Sequence, residues 1–249
     1  MIYRRAAAAA GVMTVALVAA CGSASAPTAS GSPSVAPSTA APVVGGATSP
    51  DPGRGVSLAG TFLERVNDPA ARYRLDQTLT VTIGSNSSKA VSHTDADGAA
   101  MKIVSDSTVG GTTTHLEQFQ ADGAAYERRG SEDWRAVEPT EGQGALYPFL
   151  KVDHIRYAGR KIKAGEFLDA LSLAKTITLG TAVAESLGVM GGSASIVVLD
   201  CYLHGDGSPV RIEVGFQIDA ADGSTAGYGT IVQDFAEFGG DIVVEPPVS

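Results

Sequence analysis

Polar and apolar side chains alternate along several stretches of this chain, and the alternation limits its fold more than any other feature of the sequence. Between Tyr73 and Ile83, apolar residues occupy nearly every second position, and Arg74, Asp76 and three threonines fill positions between them. A period of two predicts a β-strand that buries one face and leaves the other in water. Repeated along the chain, this pattern favours an antiparallel sheet.

Tight turns separate the strand-like runs of the sequence. Besides the first strand, such runs cover residues 90–95, 101–109, 112–120, 124–129 and 155–162, with a last pair at 228–235 and 241–244. Four Asp-Gly dipeptides lie between or beside the runs, at Asp97-Gly98, Asp122-Gly123, Asp206-Gly207 and Asp222-Gly223. Asp-Gly readily adopts the positive φ angles of hairpin turns, so this spacing predicts an antiparallel meander.

The clearest predicted hairpin lies on either side of the Asp206-Gly207 turn. The apolar face of its first strand is formed by Val197, Leu199, Cys201 and Leu203. The apolar face of its second strand is formed by Val210, Ile212, Val214, Phe216 and Ile218. Arg211 and Glu213 lie between these apolar positions and are predicted to face water.

Helical signals are few. Apolar residues recur at helical spacing from Val56 to Val66, before Asn67 and Pro69 end the element. Short helices are also predicted at 146–152 and 181–187, while most of residues 163–192 gives no clear pattern. The chain from residue 56 to 249 is therefore predicted to be a single α+β domain, a curved antiparallel sheet with short helices over its concave face.

Too few helices are predicted to cover such a sheet, so it must curl on itself or leave an apolar hollow. Leu79, Val81, Leu199, Val214 and Phe216 are predicted to point inward and to line this hollow. Burial against such a wall would stabilise an apolar ligand by about 25 cal/mol per Å² of its surface. The same residues could instead fill a packed core, and the alternation alone does not decide between the two.

The N-terminus carries the features of an export signal. Arg4 and Arg5 precede an apolar, Ala-rich run, and residues 1–20 are predicted to be a leader. The run ends in small residues directly before Cys21, which resembles the lipobox that signal peptidase II cuts before a lipidated cysteine. Residues 21–55 contain mainly Ser, Pro, Ala, Thr and Gly, too polar and small to bury a core, and are predicted to be a disordered tether.

The charge of the chain is negative. The full sequence has a net charge of −9, and removal of Arg4 and Arg5 with the leader would leave 16 basic residues against 27 acidic ones, a net charge of −11. This charge opposes binding to nucleic acid and to anionic headgroups, so no polyanion partner is predicted. With Cys21 lipidated, Cys201 would have no partner for an intramolecular disulfide.

No group of residues indicates catalysis. The four histidines, His93, His115, His154 and His204, lack metal-ligand spacing, and neither a G-x-S-x-G motif nor a phosphate-binding loop is present. Cys201 lies on an apolar strand face and is predicted to be an inert core residue. No catalytic residue, metal or cofactor is predicted, and the chain is not expected to be an enzyme.

The order of these features resembles the LprG and LppX type of actinobacterial lipoproteins, which have a LolA-like half-barrel. The matching features are the lipobox, the tether, the helix before Tyr73, Trp134, the hairpin 196–219 and the ending 235–247. The resemblance implies an apolar cavity that carries acylated lipids or glycolipids outward across the cell envelope. It also implies a lipid-anchored, extracytoplasmic location.

Two functions are therefore expected from the sequence. The first is a membrane-anchored carrier or chaperone that binds an acylated lipid, a glycolipid or another apolar molecule in its half-barrel. The alternative is a non-enzymatic envelope module with a packed core that docks a protein or cell-wall partner. The identity of the ligand and any envelope transporter partner stay open.

Overall fold

A computed structural model of the chain describes residues 52–98, 100–139 and 146–246. The predicted leader, Cys21 and the predicted tether up to residue 51 lie outside the described residues.

Twelve strands form one open, curved sheet in which every pairing is antiparallel, so the predicted fold class is confirmed. The strands are β1 (Arg72–Ile83), β2 (Asn86–Asp97), β3 (Ala100–Val109), β4 (Thr112–Ala121), β5 (Ala124–Arg129), β6 (Arg135–Val137), β7 (Ile155–Lys163), β8 (Glu166–Leu173), β9 (Ile177–Gly180), β10 (Ser193–Leu203), β11 (Pro209–Asp219) and β12 (Thr225–Phe238). Their order across the sheet is β6-β5-β4-β3-β2-β1-β12-β11-β10-β8-β7, and β9 also pairs with β10. The sheet thus has β6 at one edge and β7 at the other.

Two α-helices and one short 3₁₀ helix occur among the described residues: α1 (Pro52–Val66), α2 (Thr181–Ser186) and the 3₁₀ turn Val152–His154. The two predicted helices at 56–66 and 181–187 are confirmed as α1 and α2. No helix in the described part of the chain is both long and apolar enough to cross a membrane.

Helix α1 lies against one face of the sheet, which we call the inner face. Its buried side chains recur three and four residues apart, at Leu58, Ala59, Phe62, Leu63 and Val66, and they belong to the main core together with inner-face residues of the sheet. Val56, which the sequence placed on this apolar stripe, is instead 64% exposed.

An ion pair between the half-exposed Arg54 and a buried carboxylate fixes the first turn of α1. Arg54 Nη2 lies 2.7 Å from Asp169 Oδ2, and the Tyr157 hydroxyl donates to the other carboxylate oxygen at 2.6 Å. Because Asp169 is 2% exposed, its two partners compensate the loss of hydration of the carboxylate. The helix is thereby tied to the β7–β8 side of the sheet.

The predicted helix at 146–152 was wrong. Residues 146–150 instead form turns over the sheet, because their backbone amides bond to the end of α1. Leu146 N–H donates to Val66 O at 2.8 Å, and Tyr147 N–H donates to Asn67 Oδ1 at 2.8 Å.

The predicted strand at 241–244 was also wrong. Residues 241–246 have no regular secondary structure, and Ile242 and Val244 pack against Phe119 of β4. Phe119 lies on the outer face, next to the partly buried Trp134. Residues 241–246 therefore cover an apolar patch on the outer face instead of extending the sheet.

Because of two β-bulges, two residues of the predicted hairpin lie on a different face from the one predicted. The register of β10 shifts between Ile196 and Val198, so that Ile196 is buried and Val197 is exposed. A second shift between Tyr202 and Leu203 places Val210 in an outer-face cluster with Tyr202. An extra residue in one strand reverses the faces beyond it, which a strict period of two does not predict.

Candidate functional site

Antiparallel register brings inner-face side chains into rows that run across the sheet. One row from β7 to β4 consists of Tyr157, Leu171, Cys201, Ile212, Gln233, Gln77, Ser92, Ser105 and Leu116. The row is apolar on β8, β10 and β11 and becomes polar at β12. With the apolar side chains Leu79 and Val81 on β1, the inner face has an apolar half that reaches β1 and a half on β2 and β3 in which small and polar side chains predominate.

The structure brings together the five residues predicted to line a hollow. Leu199, Val214 and Leu79 lie in one row, linked through Ile231, and Phe216 and Val81 lie in the next, linked through Gly229. All five are at most 4% exposed. Each was placed on the correct face by the alternation of its strand.

These five residues pack within the main core. The same cluster contains the buried residues of α1 and, from the segment after β6, Leu146, Tyr147 and Leu150. Helix α1 and residues 146–150 thus belong to the cover of the apolar half of the inner face. That the five residues form the wall of a ligand site stays a prediction.

A chain of buried hydrogen bonds marks the boundary between the two halves. The Tyr147 hydroxyl donates to Gln233 Oε1, and Gln233 Nε2 donates to Gln77 Oε1 at 2.7 Å. Burial raises the pKa of Tyr147 well above its ordinary value, so the hydroxyl is neutral and available as a donor. The chain holds residues 146–150 against the centre of the sheet.

Beyond this boundary lies a set of small side chains that we call the small-residue stripe. Its members occupy consecutive inner-face positions of β2 and two inner-face positions of β3: Ser88, Ala90, Ser92, Thr94, Ala96, Ser105 and Ser107. Larger side chains flank it: Leu75 and Leu79 on β1, Ile103 on β3 opposite Thr94, and Leu116 on β4 opposite Ser105. The stripe is thus a low strip of the inner face between two higher rows.

Two buried polar atoms of the inner face have no hydrogen-bond partner among the described residues: Ser107 Oγ in the stripe, and Gln118 Oε1 on β4, opposite Ile103. Ser107 is 2% exposed, whereas the neighbouring Ser105 hydroxyl donates to Leu116 O at 3.4 Å. An unpaired buried polar atom costs about 1–3 kcal/mol, so such atoms are uncommon and often mark a place where another group binds.

The helices pack mainly on the other part of the sheet. Helix α1 contacts β7, and α2 contacts β9 and β10. The small-residue stripe on β2 and β3 has no comparable helical contact among the described residues. It can offer hydroxyl groups to a molecule whose apolar part lies against the other half of the inner face.

Titratable clusters lie on the outer face of the sheet. His115 Nδ1 is 2.8 Å from Asp106 Oδ1 and its Nε2 is 3.5 Å from Glu117 Oε1. The hydrogen bond to Asp106 has the largest effect and raises the pKa of His115, burial opposes this increase, and the hydrogen bond to Glu117 adds to it. His93 similarly lies 2.7 Å from Asp76. These exposed pairs account for the two histidines as surface groups of the sheet.

Cys201 lies on the inner face of β10 and is fully buried. Burial, and to a smaller extent the nearby Asp200 carboxylate, raises the pKa of its thiol far above the ordinary value. The thiol is therefore protonated and unreactive, as a core residue on an apolar strand face is expected to be. Within 52–98, 100–139 and 146–246, no group of three or more His, Cys, Asp or Glu side chains has metal-binding geometry.

Sequence reasoning missed the small-residue stripe. The signal was present, because Ser88, Ala90, Ser92, Thr94 and Ala96 occupy every second position of one strand. A period of two made of small residues instead of large apolar ones does not reveal by itself which face of the strand is buried.

No family model and no curated protein matches the chain. Solved structures similar to it include the Mycobacterium tuberculosis lipoprotein LppX, with a TM-score of 0.42, 10% identity, and coverage of 76% of this chain and 98% of that one. A LolA superfamily protein from Nitrosomonas europaea matches with a TM-score of 0.28 and 9% identity, over 77% of this chain and 94% of that one. Both TM-scores are below 0.5, so neither similarity indicates a function for this chain.

Proposed function

We propose that this protein is a membrane-anchored, non-enzymatic carrier that binds an acylated amphiphile on the inner face of its sheet. The observation that carries the proposal is that two buried atoms of the inner face have no hydrogen-bond partner in the described part of the chain: Ser107 Oγ in the small-residue stripe and Gln118 Oε1 on β4. A ligand with hydroxyl or amide groups would satisfy these atoms and recover the free energy that their burial costs.

The division of the inner face supports an amphiphile. Acyl chains need apolar surface and no directional groups, which Leu79, Val214 and Phe216 provide. Polar groups of the same molecule would lie on the stripe, on the far side of the Tyr147–Gln233–Gln77 chain. Binding would then consist of shielding the acyl chains from water, with α1 and residues 146–150 acting as a movable cover.

The predicted lipid anchor completes the proposal. Lipidation of Cys21 would hold the domain at the extracytoplasmic face of the cell membrane, and residues 22–51 would let it move away from the headgroups. The protein would then act as a carrier or chaperone in the cell envelope, and an envelope transporter is one partner that could receive its ligand.

The alternative is an envelope interaction module with a packed core. It is favoured by one observation: the five predicted wall residues are already buried in the core that contains α1. In that case the sheet would bind a protein or cell-wall partner through its outer face, with no ligand inside.

Ligand uptake separates the two functions. The full chain with Cys21→Ser would be examined by native mass spectrometry after mild extraction, and by titration with a fluorescent diacyl phospholipid. We expect a bound lipid mass and saturable uptake. A ligand-free mass together with no uptake of the probe would contradict the carrier.

One matched pair of variants and one further substitution locate the site. Ser107→Leu fills the stripe and should weaken probe uptake at least tenfold, while its matched control Thr108→Leu, on the outer face of the same strand, should not. Val214→Trp should block uptake without unfolding the protein if the apolar half opens for the ligand. Loss of the folded state in Val214→Trp would instead indicate a packed core.

A further inference from the structure

The edge strand β7 is basic in an acidic protein. Within nine residues it carries Arg156, Arg160, Lys161 and Lys163, while the chain as a whole has a net charge of −9. The whole-chain charge opposes contact with anionic surfaces, so this strand is a local exception to it.

An exposed apolar pair lies on β7 and β8 next to the turn that joins them. Ile162 and Phe167 lie directly opposite each other in the β7–β8 register and are 63% and 66% exposed. The Arg160 guanidinium lies 5.9 Å from the centre of the Phe167 ring and donates to Phe167 O at 3.1 Å. A cation is thus held directly beside the exposed ring.

Most of this positive charge is not neutralised locally. Lys163 Nζ binds Glu213 Oε1 at 2.8 Å, but Arg156, Arg160 and Lys161 have no carboxylate partner among the described residues. The hairpin contains two acidic residues, of which Asp169 is buried and already bound to Arg54, so only Glu166 is exposed near the tip. Three cations are therefore available to an anionic partner.

The hairpin also lies where the chain enters the fold. Arg54 binds Asp169 of β8, and a Cβ atom on Gly55 would lie only 2.6 Å from Tyr157 Cβ of β7. The first turn of α1 is thus pressed against this hairpin. Residues 1–51, which contain the predicted anchor Cys21, precede that turn directly in the sequence.

We propose that the β7–β8 hairpin is a docking surface for a bilayer with anionic headgroups. Ile162 and Phe167 would enter the headgroup region, and Arg156, Arg160 and Lys161 would contact lipid phosphates. Exposed apolar side chains flanked by cations are the combination that interfacial binding requires. The inference goes beyond the proposed carrier function and does not depend on a ligand, although docking here would bring the α1 side of the sheet to the membrane.

A second copy of the chain is a less favourable partner for this edge than an anionic bilayer. Pairing β7 with β7 of another copy would bring two sets of four cations together, and like charges across strands oppose pairing. The same charges attract an anionic bilayer, so the charge of the edge favours the membrane.

The test uses a label at the tip of the hairpin. The full chain with Cys21→Ser and Ala164→Cys would be labelled with an environment-sensitive NBD fluorophore, since the buried Cys201 thiol does not compete for the reagent. With vesicles of 30% phosphatidylglycerol in phosphatidylcholine we expect a blue shift of NBD emission. The same label at Met190→Cys, a residue 75% exposed elsewhere, should not respond.

Unlabelled variants of the Cys21→Ser chain separate the two contributions. Arg160→Gln with Lys161→Gln should weaken vesicle binding at least tenfold, because each cation near an anionic surface contributes about 1 kcal/mol, or about fivefold. Phe167→Ser with Ile162→Ser should weaken it about tenfold. Val243→Ser, at a residue 74% exposed, is the matched control and should bind like the parent chain.

Three results would overturn the docking surface: an unresponsive tip label, hairpin variants that bind vesicles like the parent chain, or an NBD shift that depends on protein concentration without vesicles. The last would indicate self-association through the edge. Loss of lipid uptake with retained vesicle docking would instead contradict only the carrier function.

Discussion

Gly229 lies on the inner face of β12, between Val81 of β1 and Phe216 of β11. A Cβ atom at this position would lie 2.1 Å from the Phe216 ring, so the ring occupies the space that any other residue would need. This close approach, and not a turn, explains a glycine in the middle of a central strand.

Gly229→Ala should therefore destabilise the protein by about 2 kcal/mol or more, although glycine in a strand interior is ordinarily less favourable than alanine. Urea unfolding followed by circular dichroism measures the change. The control Gly60→Ala, in α1 with nothing within 4 Å of the added atom, should raise stability by about 0.5–1 kcal/mol. Equal effects of the two substitutions would contradict the packing of Phe216 on Gly229.

His115 should make stability depend on pH near neutrality. Its pKa is raised above 6.5, chiefly by the hydrogen bond to Asp106, so protonation is favoured by folding. The resulting stabilisation is fully present below the unfolded pKa and is lost as pH rises through the higher folded pKa. Asp106→Asn should bring the imidazole titration, followed by proton NMR, back toward the ordinary value, and an unchanged titration would contradict this pairing.

At the level of elements, alternation alone was sufficient to predict strands such as β1, β3 and β11, because one face of each is solvated. It failed for β8, whose residues Leu168 to Leu171 are all buried and so show no period of two. It also failed for residues 146–150, whose conformation depends on distant partners, Asn67 and Gln233. Non-local hydrogen bonds leave no local pattern in the sequence.

Tyr147→Phe tests how strongly residues 146–150 are held over the sheet. The substitution removes the donor to Gln233 and leaves a buried acceptor unpaired, so we expect a loss of about 1–3 kcal/mol. Hydrogen exchange should show faster exchange of the Leu146 and Tyr147 amides. Tyr126→Phe, which removes a hydroxyl from a side chain 37% exposed, should change stability by less than about 0.5 kcal/mol.

For the whole molecule, an open sheet leaves two edges able to pair with another chain. Edge β6 is only three residues long, but β7 has nine and relies on its cations for protection. Arg160→Thr with Lys161→Thr should therefore promote self-association, visible as a concentration-dependent rise in sedimentation coefficient. Lys89→Thr with Lys102→Thr, on interior strands β2 and β3, should remain unchanged, and identical behaviour of the two doubles would contradict edge protection.

Only the apolar half of the candidate site could be predicted from the sequence. Large apolar residues such as Val214 identify their own face, so the apolar half of the inner face followed from the sequence. The small-residue stripe did not, because its significance depends on β2 lying between Leu79 on one side and Ser107 on the other. Which strands are neighbours is a property of the whole sheet.

Helix α1 is continuous in sequence with residues 1–51 and is held at its first turn by the Arg54–Asp169 ion pair. Tension applied through those residues would therefore reach this ion pair before any strand. If the ion pair broke, α1 would separate from the sheet from Pro52 onward, while the hydrogen bonds between the strands stayed intact. With Cys21 lipidated as we propose, the covering helix and the tether would form one mechanical unit, in which the distance of the domain from the membrane would control access to the interior.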